Sequence, residues 1–136
     1  MTIALLEILE WHGTDLRDQV VEHPSLEAVR EAVRALDANV RNDVYLRLHA
    51  DTPAPWLCVG GGAGRYVVTG ALDDVTFPTL ADPLREGAPE EYVLVGGQTG
   101  NYPGHWVHPL DTALRAAEHF WRTGEFGGAG LTWEHT

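Results

Sequence analysis

The sequence predicts an α+β fold: a single domain with a mostly antiparallel sheet of about five or six strands packed by two helices. Three observations carry this expectation. Two segments repeat apolar residues at three- and four-residue steps, as helices do. The other apolar segments are short and bounded by turn residues, as strands are. Their order, β-α-β-β-β-(β)-β-α-β with the bracketed strand a short one, has too few crossovers for a doubly wound parallel sheet. The 136 residues suit one domain, which at this size buries about 68% of its unfolded surface. No repeat, low-complexity tract or long linker divides residues 1–136.

The elements follow in order. Residues 2–11 (TIALLEILEW) also fit a helix, but their shortness and the Trp11-His12-Gly13 stop favour a strand. Residues 12–24 are polar and end at Pro24. A helix opens at Ser25, a good N-cap, with Glu27 and Glu31 toward its positive end. Leu26, Val29, Val33 and Leu36 form its apolar face, and Asp37-Ala38-Asn39 ends it. Residues 43–50 alternate, with Val44, Leu46 and Leu48 opposed to Tyr45, Arg47 and His49, as in a half-exposed strand. Residues 56–60 (WLCVG) and 65–72 (RYVVTGAL) read as two buried strands joined by the glycines at 60–64. Residues 73–90 read as an acidic loop with a short strand near Val75–Phe77. Residues 91–96 form a strand and 97–108 a Gly-rich loop. A second helix starts near Pro109 with Asp111 as its cap. Its face holds Leu110, Leu114, Ala117 and Trp121, with Phe120 beside them, and Gly124 stops it. Residues 131–134 close the chain as a strand.

Charge narrows the function classes. Twenty acidic residues stand against nine basic ones, giving −11, and all nine are Arg. A general DNA, RNA or anionic-membrane binder is excluded, because such binding needs Lys and Arg to neutralise phosphates. The fitting partner is cationic, although net charge also serves solubility. Absent Lys suggests a GC-rich coding genome. A single cysteine, Cys58, excludes an internal disulfide and a multi-Cys zinc site. The first residues lack the basic flank of a signal peptide, and no apolar run reaches the ~20 residues of a membrane helix. A cytoplasmic location is expected.

Catalytic motifs are poorly represented. The glycines at 60–64 precede a strand rather than a helix, and no Lys-Ser/Thr follows, so they are read as a turn and not a phosphate cradle. Cys58 lies in an apolar strand, where a thiol is usually inert. Ser25, the only serine, already serves as a cap, and no G-x-S-x-G exists. His105 and His108 have helical ligand spacing but sit in a loop segment. A metal-dependent enzyme or binding protein built on His49, His105, His108 or His119 with carboxylates remains the alternative reading; zinc takes three or four such ligands. No catalytic residue, metal or cofactor is assigned.

Six acids in residues 73–91 (Asp73, Asp74, Asp82, Glu86, Glu90 and Glu91) face only Arg85, and the first 22 residues add five more acids against Arg17. These groups read either as a solvated rim or as a docking face for a basic protein. Trp56, Tyr102, Trp106 and Trp133 belong to the residue types enriched at interface hot spots.

Order and spacing then suggest a family. Pro24-Ser25 opens a helix, VGGGAGRYVV forms a glycine-turn hairpin, and GGQTGNYP follows EYVLVG. PLDTALRAAEHFWRTG supplies a helix and LTWE the end. From about Ile3 to Glu134, this pattern resembles family one of the immunity proteins of bacterial polymorphic toxin systems, common in actinobacteria. The resemblance implies a small non-enzymatic α+β protein. Such a protein binds and blocks a toxin encoded beside it, often a nucleic-acid deaminase. Gly61, Gly64, Tyr66, Gly96, Gly97, Gln98, Tyr102, Pro103, Trp133 and Glu134 match its pattern. The expected partner is therefore a basic cognate toxin domain, with no direct nucleic acid, no membrane and no cofactor. The expected contact residues are Asp73, Asp74, Asp82, Glu86, Glu90, Glu91, Gln98, Tyr102, Trp106 and Glu134. A structural or regulatory dimer using an exposed sheet edge is a third reading.

Overall fold

A computed structural model describes residues 3–135. Its strands are β1 (Leu5–His12), β2 (Asp15–Glu22), β3 (Asp43–Arg47), β4 (Trp56–Gly62), β5 (Arg65–Ala71), β6 (Pro78–Ala81), β7 (Glu91–Val95), β8 (Gln98–Tyr102) and β9 (Thr132–His135). The helices are α1 (Leu26–Arg34) and α2 (Leu110–Thr123). Among the described residues, seven strands form one antiparallel sheet in the order β2-β1-β3-β4-β5-β6-β9, and β7-β8 form a separate hairpin. The architecture is α+β, as the sequence implies, with more strands than expected.

Register assigns the faces, because residues directly opposite across a ladder share one side of the sheet. Leu6 stands opposite Val21 and Leu46, and Leu46 opposite Leu57. This row meets the helices, and its main core includes Ile3, Leu6, Val33, Leu46, Leu57 and Phe120. Glu7 stands opposite Val20 and Tyr45, and Tyr45 opposite Cys58. That row belongs to the other face, where β7-β8 covers only part of the sheet. There Val67, Val93 and Val107 make a second, smaller core with Val95 and Tyr102 against it.

Glycine makes the hairpin's close approach feasible. A Cβ at Gly60 would collide with the Val95 methyls, and one at Gly61 would lie 2.9 Å from Val93 Cγ1. The expected turn is also present: Gly62 pairs with Arg65, and Ala63 and Gly64 both take positive φ, 53° and 89°. That is the two-residue turn whose twist matches its strands.

Several boundaries need correction. Residues 12–24 contain β2, whose residues are exposed except half-buried Val21; an edge strand wet on both faces leaves no apolar alternation. The short strand lies at Pro78–Ala81, all buried, instead of near Val75–Phe77, where Asp73 holds a turn. Residues 98–102 (QTGNY) form β8 inside the expected loop, because a strand lying over the sheet needs few apolar groups of its own. The strand expected over 43–50 stops at Arg47, and the one expected over 56–60 extends to Gly62.

The helix ends follow capping chemistry. Ser25 Oγ accepts from Ala28 N at 3.1 Å, as expected. Pro109, rather than Asp111, is the α2 N-cap; Asp111 sits in the first turn, where its carboxylate still suits the helix dipole. The deeply buried face of α2 is Ala113, Ala116, Ala117 and Phe120. Leu110, Leu114 and Trp121 pack along its margins. Small residues let the helix lie close to the sheet, which is why the bulky stripe is not the central one.

Candidate partner interface

The acids expected to form one face are divided by β6. Asp73 and Asp74 precede this strand; Asp82, Glu86, Glu90 and Glu91 follow it. Several serve local structure. Asp73 Oδ1 accepts from Val75 N and Thr76 N at 2.9 and 2.8 Å. These amides, led by Val75, hold its carboxyl below the ordinary range. Asp82 caps a short 3-10 turn by accepting from Leu84 N at 3.0 Å. Glu90 accepts from Asn101 Nδ2 at 3.2 Å. Glu91 lies 3.5 Å from Arg85 and 3.9 Å from Arg65. Asp74 and Glu86 are exposed.

The remaining expected residues fall into two groups. Glu91 pairs across the hairpin with half-buried Tyr102, while exposed Gln98 lies at its far end. Trp106 and Glu134 do come together. The indole Nε1 donates to Glu134 Oε1 at 2.9 Å, and His105 Nε2 lies 3.0 Å from Oε2. The indole first, then His105, keeps the Glu134 carboxyl below its usual range against some desolvation. This cluster ties β9 to the turn at Gly104–Trp106.

Among the described residues, no three His, Cys, Asp or Glu side chains are grouped to hold a metal. The candidate histidines have separate partners. His108 is buried and donates Nε2–H to Leu80 O at 2.8 Å; burial lowers its pKa. His119 donates to Gly127 O at 2.5 Å, and His49 is exposed beyond β3. Cys58 is buried, and desolvation, with the nearby Asp43 charge, pushes its thiol up to about 12. A thiol is a poor nucleophile so far from its thiolate form.

Charge is distributed unevenly at the level of pairs. Among the described residues, every arginine except Arg115 stands within 4 Å of a carboxylate, as in Arg30–Glu118 at 2.7 Å and Arg41–Glu10 at 2.9 Å. The positive charge is thus largely engaged internally, and the surplus acids carry the external field.

Sequence reasoning missed one surface. Trp11 donates its indole N–H to Asp43 Oδ1 at 3.0 Å and packs beneath Gly97 at the hairpin tip. Burial raises the Asp43 carboxyl, with the indole opposing. Beside it, Tyr45 meets Trp56 edge-on at 5.4 Å, and Arg47 pairs with Glu7 while lying over the Tyr45 ring. The signal available was the run Leu5, Glu7, Leu9 and Trp11 at alternate positions, a second half-apolar face.

The family pattern described as immunity protein Imm1 matches residues 17–135. The chain belongs to the Imm1 immunity protein family. Family membership makes it an immunity protein, whose partner is a toxin. The match begins within β2 and leaves β1 outside, although β1 lies between β2 and β3 in the sheet. No curated protein matches the chain. Several positions that the resemblance singled out have evident structural tasks. Gly64 makes the β4-β5 turn, Tyr66 is buried, Gly96 and Gly97 form the hairpin tip, and Trp133 donates to Phe126 O at 2.8 Å. Among the described residues, no helix is long and apolar enough to cross a membrane.

Proposed function

We propose that this immunity protein is a non-enzymatic, stoichiometric inhibitor of a basic, nucleic-acid-targeting toxin of the deaminase type. It occludes the surface through which the toxin holds its substrate, in the cytoplasm of the producing cell. The observation that carries this reading is the charge of −11 with its arginines tied into internal pairs. A toxin that binds a polyanion needs a basic surface, and an acidic protein competes for it.

The ten expected residues have graded parts in this reading. Asp74, Glu86 and Glu90 present exposed acids, and Asp73, Asp82 and Glu91 add field beside their local tasks. Separated by β6, these six steer the encounter at long range. Gln98, Tyr102, Trp106 and Glu134 supply polar and aromatic contacts where the toxin overlaps the hairpin or β9.

Co-expression tests the reading. The toxin domain encoded beside the gene should arrest growth alone, and growth should return with this protein. The pair should co-purify at equal stoichiometry, and the toxin's deaminase activity on nucleic acid should be lost. A toxin fully active with excess immunity protein overturns the reading.

A further inference from the structure

We propose that the toxin docks on the open sheet face of β1 and β2, the side away from the helices. This rests on the toxin-binding reading above and assigns the surface that makes short-range contact. On that side β7-β8 covers Gly60, Gly61 and Val67, and its tip ends at Trp11. Beyond the tip the face is half-buried or exposed. Leu5, Leu9 and Trp11 of β1 and Tyr45 of β3 are half-buried. Leu16 and Val20 of β2 are 46% and 50% exposed. Register makes these residues neighbours: Leu16 is opposite Trp11, and Val20 is opposite Glu7, which is opposite Tyr45.

Trp11 and Leu16 face each other directly, while Leu5, Leu9, Val20 and Tyr45 each stand opposite a charged residue; large apolar and aromatic side chains of this kind serve as anchors in contact surfaces. The other exposed apolar side chains differ in setting. Leu84 and Tyr92, 94% and 66% exposed, stand singly on separate segments, and scattered single residues are ordinary surface. Leu72, Val75 and Phe77, 41%, 78% and 41% exposed, share the turn before β6 and include no residue of a paired sheet face.

Charge selects the occupant. Arg47 is the only arginine of this patch, and it is engaged by Glu7 and by Pro53 O at 3.1 Å. Asp18 and Glu22 lie on the same face, opposite Leu9 and Leu5, with no cation partner among the described residues. The patch therefore interleaves apolar side chains with unneutralised acids, Asp18 and Glu22. It fits a protein that offers apolar groups interspersed with Lys or Arg. A second copy of this chain would bring the same acids against it, and a nucleic acid has the wrong sign.

The probe is the adjacent toxin domain with its catalytic residue inactivated. Leu16→Arg and Val20→Arg, each made singly, should weaken binding by at least about tenfold, mostly through faster dissociation. Asp74→Arg with Glu86→Arg should instead slow association and flatten its salt dependence. Thermal melting of the free variants establishes that they fold. Hydrogen exchange on the unaltered complex, which needs no variant, should show protection of Leu5–Glu22. Several outcomes overturn the proposal: tight wild-type binding with no loss in either β2 variant and no protection there, protection confined to 73–91, or a wild-type homodimer that Val20→Arg splits. A wild-type chain that does not bind overturns the toxin reading itself, and this assignment with it.

Discussion

Gly60 and Val95 occupy space that only one side chain can fill. A Cβ at position 60 meets the Val95 methyls, so Gly60→Ala should lift the hairpin from β4. Overpacking of this kind costs about 1–3 kcal/mol, readable as a lower denaturant midpoint. Adding Val95→Ala should recover most of that loss, because the two changes share one contact. Asp43 gives a second residue-scale prediction. Its folded carboxyl is raised by burial, so the folded state binds its proton more readily than the unfolded chain does. Stability attributable to this group therefore falls as pH rises through the carboxylate range. Asp43→Asn keeps an acceptor for the Trp11 indole without the charge. It should be more stable than wild type at neutral pH, and the gap should close on acidification. A gap that widens in acid would contradict the assignment.

At the element scale, β1 holds the molecule's most exposed strand. Among the described residues β2 pairs with β1 alone, and β1 pairs with both β2 and β3. Removing residues 1–13 strips β2 of its only ladder and deletes Leu6 from the main core. The truncated chain should lose its cooperative unfolding transition, although the Imm1 match begins only at residue 17. Which elements were legible in the sequence follows from the same physics. α1, α2 and the β4-β5 hairpin announced themselves, because Ser25, Gly124 and the glycines at 60–64 act locally. β2 and β8 did not, since an edge strand and a strand lying over the sheet receive their order from neighbours. Among candidate contacts, Trp106 and Glu134 were singled out separately in the sequence, and their union across 28 positions is tertiary. The β1-β2 face was hidden for the same reason: Leu16 and Val20 look polar in context until register sets them beside Trp11 and Glu7.

The whole molecule combines a large negative field with two cores of unequal size. Because its arginines are mostly engaged internally, the remaining acids repel one another. Moderate salt should raise the melting temperature of the free protein while slowing its association with a basic toxin. Opposite responses to one variable separate self-repulsion from partner attraction; a complex indifferent to salt would argue against a basic partner. The smaller core, centred on Val67, Val93 and Val107, attaches β7-β8, aided by Gly97 N donating to Asn42 Oδ1 at 2.9 Å. Local opening free energies follow how much each unit buries. Amides of β7-β8 should therefore exchange through a partial opening while those of β3-β5 wait for global unfolding. In that opened form Gly60, Gly61 and Val67 join the bare side of the sheet. The footprint available to a visitor is thus an equilibrium quantity, widened or narrowed by a two-strand cover that any tightly seated guest must either respect or displace.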